Sequence, residues 1–177
     1  MSVEELAHLI TLSLRRSDSV EIDGLGVFTR TGSGDISYRH SHHPRVFVAY
    51  ATADLGAAER IFTTLTARGI AAWLDRRVLL PGQDWPRRIQ EAIESSDFFI
   101  ACFSRNSVMK RGGFQVELRQ ALECAQRLPL DEVFIIPVRL DDCAVPARIR
   151  RETQYVNLFP DWDAGLDRVI RIIERRG

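Results

Sequence analysis

Two glutamates in the stretch NSVMKRGGFQVELRQALE (106–123) share a helix-like pattern but have different neighbours. Glu123 has Arg119 four residues before it and Arg127 four after, both within ion-pair reach on a helix. Glu117 has Gly113, Phe114, Gln120 and Ala121 at the equivalent spacings. A carboxylate without a cation on its own helix keeps its field for other uses, such as offsetting positive charge that develops on a ligand. The ordinary alternative is a solvated residue on the helix flank. The apolar period Phe114, Leu118, Ala121, Leu122, Ala125 begins directly after Gly112 and Gly113. A helical glycine costs roughly 1 kcal/mol relative to alanine. The pair therefore reads either as an irregular helix start or as a close backbone approach to a ligand or neighbouring subunit.

Other side chains with chemical potential resolve to simpler readings. His40, His42 and His43 have no acid or cysteine beside them and sit in a linker-like segment, so no metal site is expected. Cys102, Cys124 and Cys143 lack CxxC spacing and an even count, which disfavours a disulfide framework and a zinc site. No GxGxxG or Walker pattern is present, which disfavours a conventional dehydrogenase or NTPase. A response-regulator receiver would need paired acids after its first strand and an aspartate after its third, and neither is found.

Composition sets the frame. The chain has 177 residues, 45% hydrophobic and 27% charged, with zero formal net charge, as in an ordinary globular protein without a general polyanion-binding character. Lys110 is the sole lysine among the basic residues. Glu4 and Glu5 stand where a signal peptide would be basic, and the apolar run FFIACF is too short to span a membrane. The expectation is a cytoplasmic protein of a reducing compartment, with no membrane partner.

The elements that must position Glu117 follow from periodicity. RVFVAY (45–50), IAAWL (70–74), DFFIACF (97–103), VFIIPVRL (133–140) and a weaker QYVNLF (154–159) read as strands. Helices are expected at 54–68, ending at Gly69, at about 84–95 behind an Asp84 cap with Pro86 in the first turn, after Gly113, and at 161–173 behind Asp161. Strands this apolar, alternating with helices, predict an α/β fold: a flavodoxin-like, doubly wound, five-stranded parallel sheet of order 2-1-3-4-5. Ligands in such sheets bind beyond the carboxyl ends of the strands where the order reverses. That point lies between ATAD (51–54) and SRNS (104–107), and the second segment leads into the helix of Glu117.

The blocks VFVAYATAD, GIAAWLDRRVLLPGQDW, AIESSDFFIACFSRNSV, GGFQVELRQALE and FIIPVRLDDCAVP resemble a bacterial TIR domain, in that family's order and across 45–177. The resemblance implies cleavage of NAD at the nicotinamide–ribose bond, giving nicotinamide and ADP-ribose or a cyclic isomer. NAD is then the substrate, no further cofactor is expected, and Glu117 matches the family's catalytic glutamate. Tyr50, Ala51, Trp85 and Phe114 are the expected NAD-binding residues. The family's BB loop, about 75–84, commonly packs against a neighbouring subunit, which nominates Leu79, Leu80, Pro81 and Gly82 as contacts of a homo-oligomer. Such an enzyme would serve bacterial antiphage immunity and be activated by self-assembly; a non-catalytic adaptor is the alternative. Where the family usually places an aromatic residue, four before the glutamate, this chain has Gly113, with Phe114 one step on. One helical residue is ~100° of rotation, so the two positions are not equivalent.

Residues 1–40 differ in pattern. Ser2 and Glu5 are spaced as a capping box, Val3, Leu6, Ile10 and Leu14 share one helical face, and a hairpin or meander follows. LSLRRSDSVEIDGLGVFTRT is similar in part to HU/IHF-type histone-like proteins. Four arginines against six acids in 1–40 make a poor phosphate-binding footprint, so nucleic acid is disfavoured as a partner. A piece this small cannot bury much core alone. An oligomerisation or docking module is expected at 1–40, a linker at 41–44 and the TIR domain at 45–177.

Overall fold

The computed structural model describes residues 3–22, 26–32, 34–39, 44–74, 84–109, 112–129 and 132–175, and the chain divides into two compact units, Met1–His43 and Pro44–Arg176. In the first unit, helix α1 (Val3–Ser13) precedes strands β1 (Ser19–Ile22), β2 (Gly26–Arg30) and β3 (Ile36–Arg39). These strands form an antiparallel meander, β1-β2-β3, in which Val20 pairs with Phe28 and Phe28 with Tyr38. Ile10 and Leu14 of the expected inward stripe are buried, and Leu6 is half-buried. Ser2 of the expected capping box and the expected linker histidines lie outside the described residues.

The second unit carries β4 (Arg45–Ala49), α2 (Leu55–Ala67), β5 (Ala71–Leu74), α3 (Trp85–Glu94) and β6 (Phe98–Phe103). It continues through α4 (Arg105–Met109), α5 (Gly113–Ala125), β7 (Ile135–Arg139), α6 (Ala147–Glu152), β8 (Val156–Asn157) and α7 (Trp162–Glu174). All five strands are parallel, in the order β5-β4-β6-β7-β8, which is the doubly wound order that the apolar strands predict. The short helices α4 and α6 were not expected from periodicity; at five and six residues they hold too few turns to show one.

Strand alternation divides the core into two layers. Val46, Val48, Ile100, Cys102, Ile136 and Val138 face α2 and α7, packing with Ile61, Leu65, Val169 and Ile170. Phe47, Ala49, Phe99, Ala101 and Phe103 face the other side, packing with Ile93 of α3 and Phe114, Leu118 and Ala121 of α5. On that side Trp73, Phe47 and Phe99 stack in a row, with centroids 4.8 and 5.3 Å apart. Helix ends follow the local chemistry. Gly69 adopts φ +74° after α2, and the amide groups of Gly69 and Ile70 donate to Thr66 O and Leu65 O, a Schellman closure. Asp84 accepts from Arg87 N at 3.4 Å and Asp161 from Ala164 N at 3.0 Å, so both expected caps form.

At the far edge of the sheet α7 lies close against β8. A Cβ built on Gly165 would stand 2.4 Å from Asn157 O and 2.9 Å from Leu158 Cα. Only a residue without a side chain fits there. Among the described residues no helix is long and apolar enough to cross a membrane, and no group of three or more His, Cys, Asp or Glu is placed to hold a metal ion.

Candidate active site

Parallel β4 and β6 are neighbours at the point where the strand order reverses, so the segments leaving their carboxyl ends meet there. After β4 the chain passes through buried Tyr50 and half-buried Ala51 into a 3-10 turn, Thr52–Asp54. After β6 it passes through buried Ser104 into α4. Asp54 joins the two: its Oδ2 accepts from Ser104 Oγ at 2.5 Å and its Oδ1 from Asn106 Nδ2 at 2.9 Å. Ser104 Oγ in turn accepts the backbone N–H groups of Asn106 and Ser107. Ser107 Oγ accepts from Ser104 N at 2.8 Å and donates to Ser104 O at 3.1 Å. Gln115, in the first turns of α5, donates to Ser107 O at 3.1 Å. This clasp ties the end of β4 to the end of β6 and both to the start of α5.

Glu117 lies on the inward side of α5, 6% exposed, among Phe114, Leu118 and Ala121. It is not a solvated flank residue. Cys102, the penultimate residue of β6, senses the surroundings: its thiol is pushed far above the usual range by burial first, then by the negative charges of Asp54 and Glu117. Both carboxylates therefore act on the same strand end.

The glycine pair takes a definite form. Gly112, at φ 167°, is extended backbone that any residue adopts, and a Cβ there meets nothing within 4 Å. A Cβ on Gly113 would stand 3.7 Å from Glu117 Oε1, an ordinary contact. Among the described residues, neither glycine is required by backbone conformation or by internal crowding. Gly113 leaves bare the position that stands over the carboxylate.

The structure brings Tyr50, Ala51 and Glu117 to the same end of the sheet. Phe114 is 5% exposed and packs edge-on against Phe103, centroids 5.5 Å apart at 88°, so its ring belongs to the core and does not stand in at position 113. Trp85 opens α3, and its side chain lies outside the described residues, as do Leu79, Leu80, Pro81 and Gly82. The sequence placed the segments 51–54 and 104–107 at the switch point, but gave Asp54, Ser104, Asn106 and Ser107 no individual role. Their signal was two short polar segments directly after the two central strands. A groove of about 540 Å³, lined by Arg45, Trp73, Arg88 and Glu91 among others, lies at the opposite, amino end of the strands and contains none of these groups.

The TIR-domain family profile matches residues 46–170, and the chain belongs to the TIR-domain family. Among solved structures, the TIR domain of the Toll-related receptor TRR-2 from Hydra magnipapillata is 25% identical with a TM-score of 0.56, over 71% of this chain and 97% of that one. A TIR-STING receptor from C. gigas is 24% identical with a TM-score of 0.56, over 73% of this chain and 41% of that one. A prokaryotic SEFIR domain is 16% identical with a TM-score of 0.54, over 73% and 92%. The last two are alike in fold alone. The uncharacterized protein y4cD of Sinorhizobium fredii is 28% identical over 112 residues, which are 63% of this chain and 17% of that protein. This chain thus matches a small part of that relative's length.

Proposed function

We propose that this TIR domain cleaves NAD at the nicotinamide–ribose bond, with Glu117 as the catalytic carboxylate. The observation that carries the reading is a buried glutamate at the switch point of the sheet, beneath a position kept bare by Gly113. In NAD the nicotinamide nitrogen is already cationic, so it departs with the bonding electron pair as neutral nicotinamide and needs little acid assistance. The ribose is left oxocarbenium-like, as in glycoside hydrolysis. The Glu117 carboxylate orients the ribose hydroxyls and offsets the developing positive charge, and Asp54 adds a second negative charge at the same strand end. Water then adds at the anomeric carbon and loses a proton, giving ADP-ribose; attack by an adenine nitrogen would give a cyclic isomer.

Tyr50 and Ala51 line the β4 side of the crevice in this reading. Trp85 and Phe114 were nominated with them from family likeness, and the packing of Phe114 against Phe103 supports a second role for it, holding α5 in register. Assembly through Leu79, Leu80, Pro81 and Gly82, a cytoplasmic setting and a part in bacterial immunity belong to the same proposal. Glu117→Gln preserves the side-chain shape and removes the charge. It should lower NAD turnover by concentrated protein about 100-fold or more, measured as nicotinamide release. Undiminished turnover in that variant would remove Glu117 from the mechanism.

One observation favours a second reading, a non-catalytic interaction module: position 113 offers no ring for stacking, and the nearest candidate, Phe114, is held in the core. That reading expects no NAD consumption by the unmodified chain at any concentration.

A further inference from the structure

The aromatic row on one face of the sheet ends in the groove at the amino end of the strands. Trp73, Phe47 and Phe99 stand on β5, β4 and β6, with ring planes 26° and 7° from parallel at the two steps. β5 is the edge strand of the sheet, so the row stops at Trp73. Half-buried Trp73 keeps Phe47 against one side of its indole and lines the groove between β5 and α3. An indole backed by two further rings is a rigid stacking platform. A flat ring laid on it repeats a contact that the row already makes twice.

The rest of the groove is polar in a definite sense. Arg45 and Arg88 border it. Each lies near a carboxylate, Asp97 and Glu91, but at 3.8 and 3.7 Å, longer than a hydrogen bond. Those carboxylates are bonded more closely to other donors: Asp97 accepts Arg45 N at 2.7 Å, and Glu91 accepts Arg87 Nε at 2.9 Å. Neither ion pair consumes the guanidinium donors, which suit an anion. Ser95 and Ser96 offer the opposite character. Both hydroxyls donate to Ala92 O, at 3.3 and 2.7 Å, so what they retain for a ligand is acceptor oxygen.

A ligand that answers all three needs a flat ring for Trp73, an anionic group for the arginines and hydroxyl or amino donors for the serines. A nucleoside monophosphate carries these in one molecule, as base, phosphate and ribose. The groove, about 540 Å³, has the volume of a small-molecule site. We infer that the groove between β5 and α3 binds a nucleoside monophosphate, with the base on Trp73 and the phosphate at Arg45 and Arg88. The lining residues belong to the unit 44–176 and lie at the end of the strands opposite the crevice proposed for NAD. The inference does not rest on NAD cleavage, because binding here is read without turnover.

The test is isothermal titration calorimetry of the full chain with AMP as the probe, beside adenosine and inorganic phosphate. AMP should bind saturably with a Kd below about 1 mM, and adenosine and phosphate each about tenfold or more weaker. Arg88→Glu reverses a charge on the exposed side of α3 and leaves the core packing in place. It should weaken AMP about tenfold or more without changing adenosine. Trp73→Leu should weaken AMP and adenosine alike by about tenfold, as loss of a base–aromatic stack does. No saturable AMP binding at millimolar concentration overturns the inference. AMP binding unchanged in Arg88→Glu also overturns it, since the nucleotide then sits elsewhere, in the NAD crevice for example. Adenosine binding as tightly as AMP overturns the assignment of the phosphate.

Discussion

In the unit 44–176 the central strands are buried on both faces, by α2 and α7 on one side and α3 and α5 on the other. In the unit 1–43 a single helix accompanies a three-stranded sheet, and large apolar side chains remain at the surface of both. The contrast shows what burying a carboxylate demands of its host. Glu117 is held at 6% exposure on a helix packed against one face of the sheet. A sheet with one covering helix has no comparable interior in which to set a charge. What such a unit offers is surface, with Leu9, Leu12, Ile36 and Tyr38 exposed on it.

The contrast can be broken most directly in the aromatic row. Phe47→Ala removes the ring that stacks on both Trp73 and Phe99 at full burial, and should destabilise the second unit by about 3–5 kcal/mol. Denaturant melts should show that transition moving while the transition of residues 1–43 stays in place. A single shared transition would mean that the two units are not independent bodies. Gly165→Ala should cost about 1–3 kcal/mol, because the added methyl meets the backbone of Asn157 and Leu158 and not a side chain that can turn aside. An unchanged midpoint would show that α7 can shift on the sheet edge.

The smallest effect is a pH dependence confined to the second unit. Cys102 keeps its proton in the folded state well above its ordinary value of 9.0, because of burial and then the neighbouring Asp54 and Glu117 charges. Its contribution to stability is complete below that ordinary value. It is lost as pH rises above it, at about 1.4 kcal/mol per pH unit, because the unfolded thiol ionises while the folded one does not. Cys102→Ala should flatten that slope in melts above pH 9. A slope that persists in the variant would assign it to other groups.

Much of this was legible beforehand. The five strands and their order could be read because each is an apolar run bounded by helix signals, and β4 and β6 have no polar face to confuse the pattern. Glu117 stood out through what surrounds it at helical spacing. The clasp did not stand out, because Asp54 and Ser104 are 50 residues apart and each reads locally as an ordinary helix-entry residue. Phe114 shows how pattern and analogy compete. It begins the apolar period that continues through Leu118 and Ala121, and its ring packs with that period in the core.

The clasp also governs how the crevice can move. Asp54 is bonded to Ser104 and Asn106, Ser104 and Ser107 hold each other, and β4 and β6 are themselves hydrogen-bonded partners. The lip shared by those two strands is thus a fixed jaw, braced from below by the sheet and across the top by side chains. A molecule bound there, as proposed, would meet one wall already in its final shape and forgo little binding free energy to ordering it.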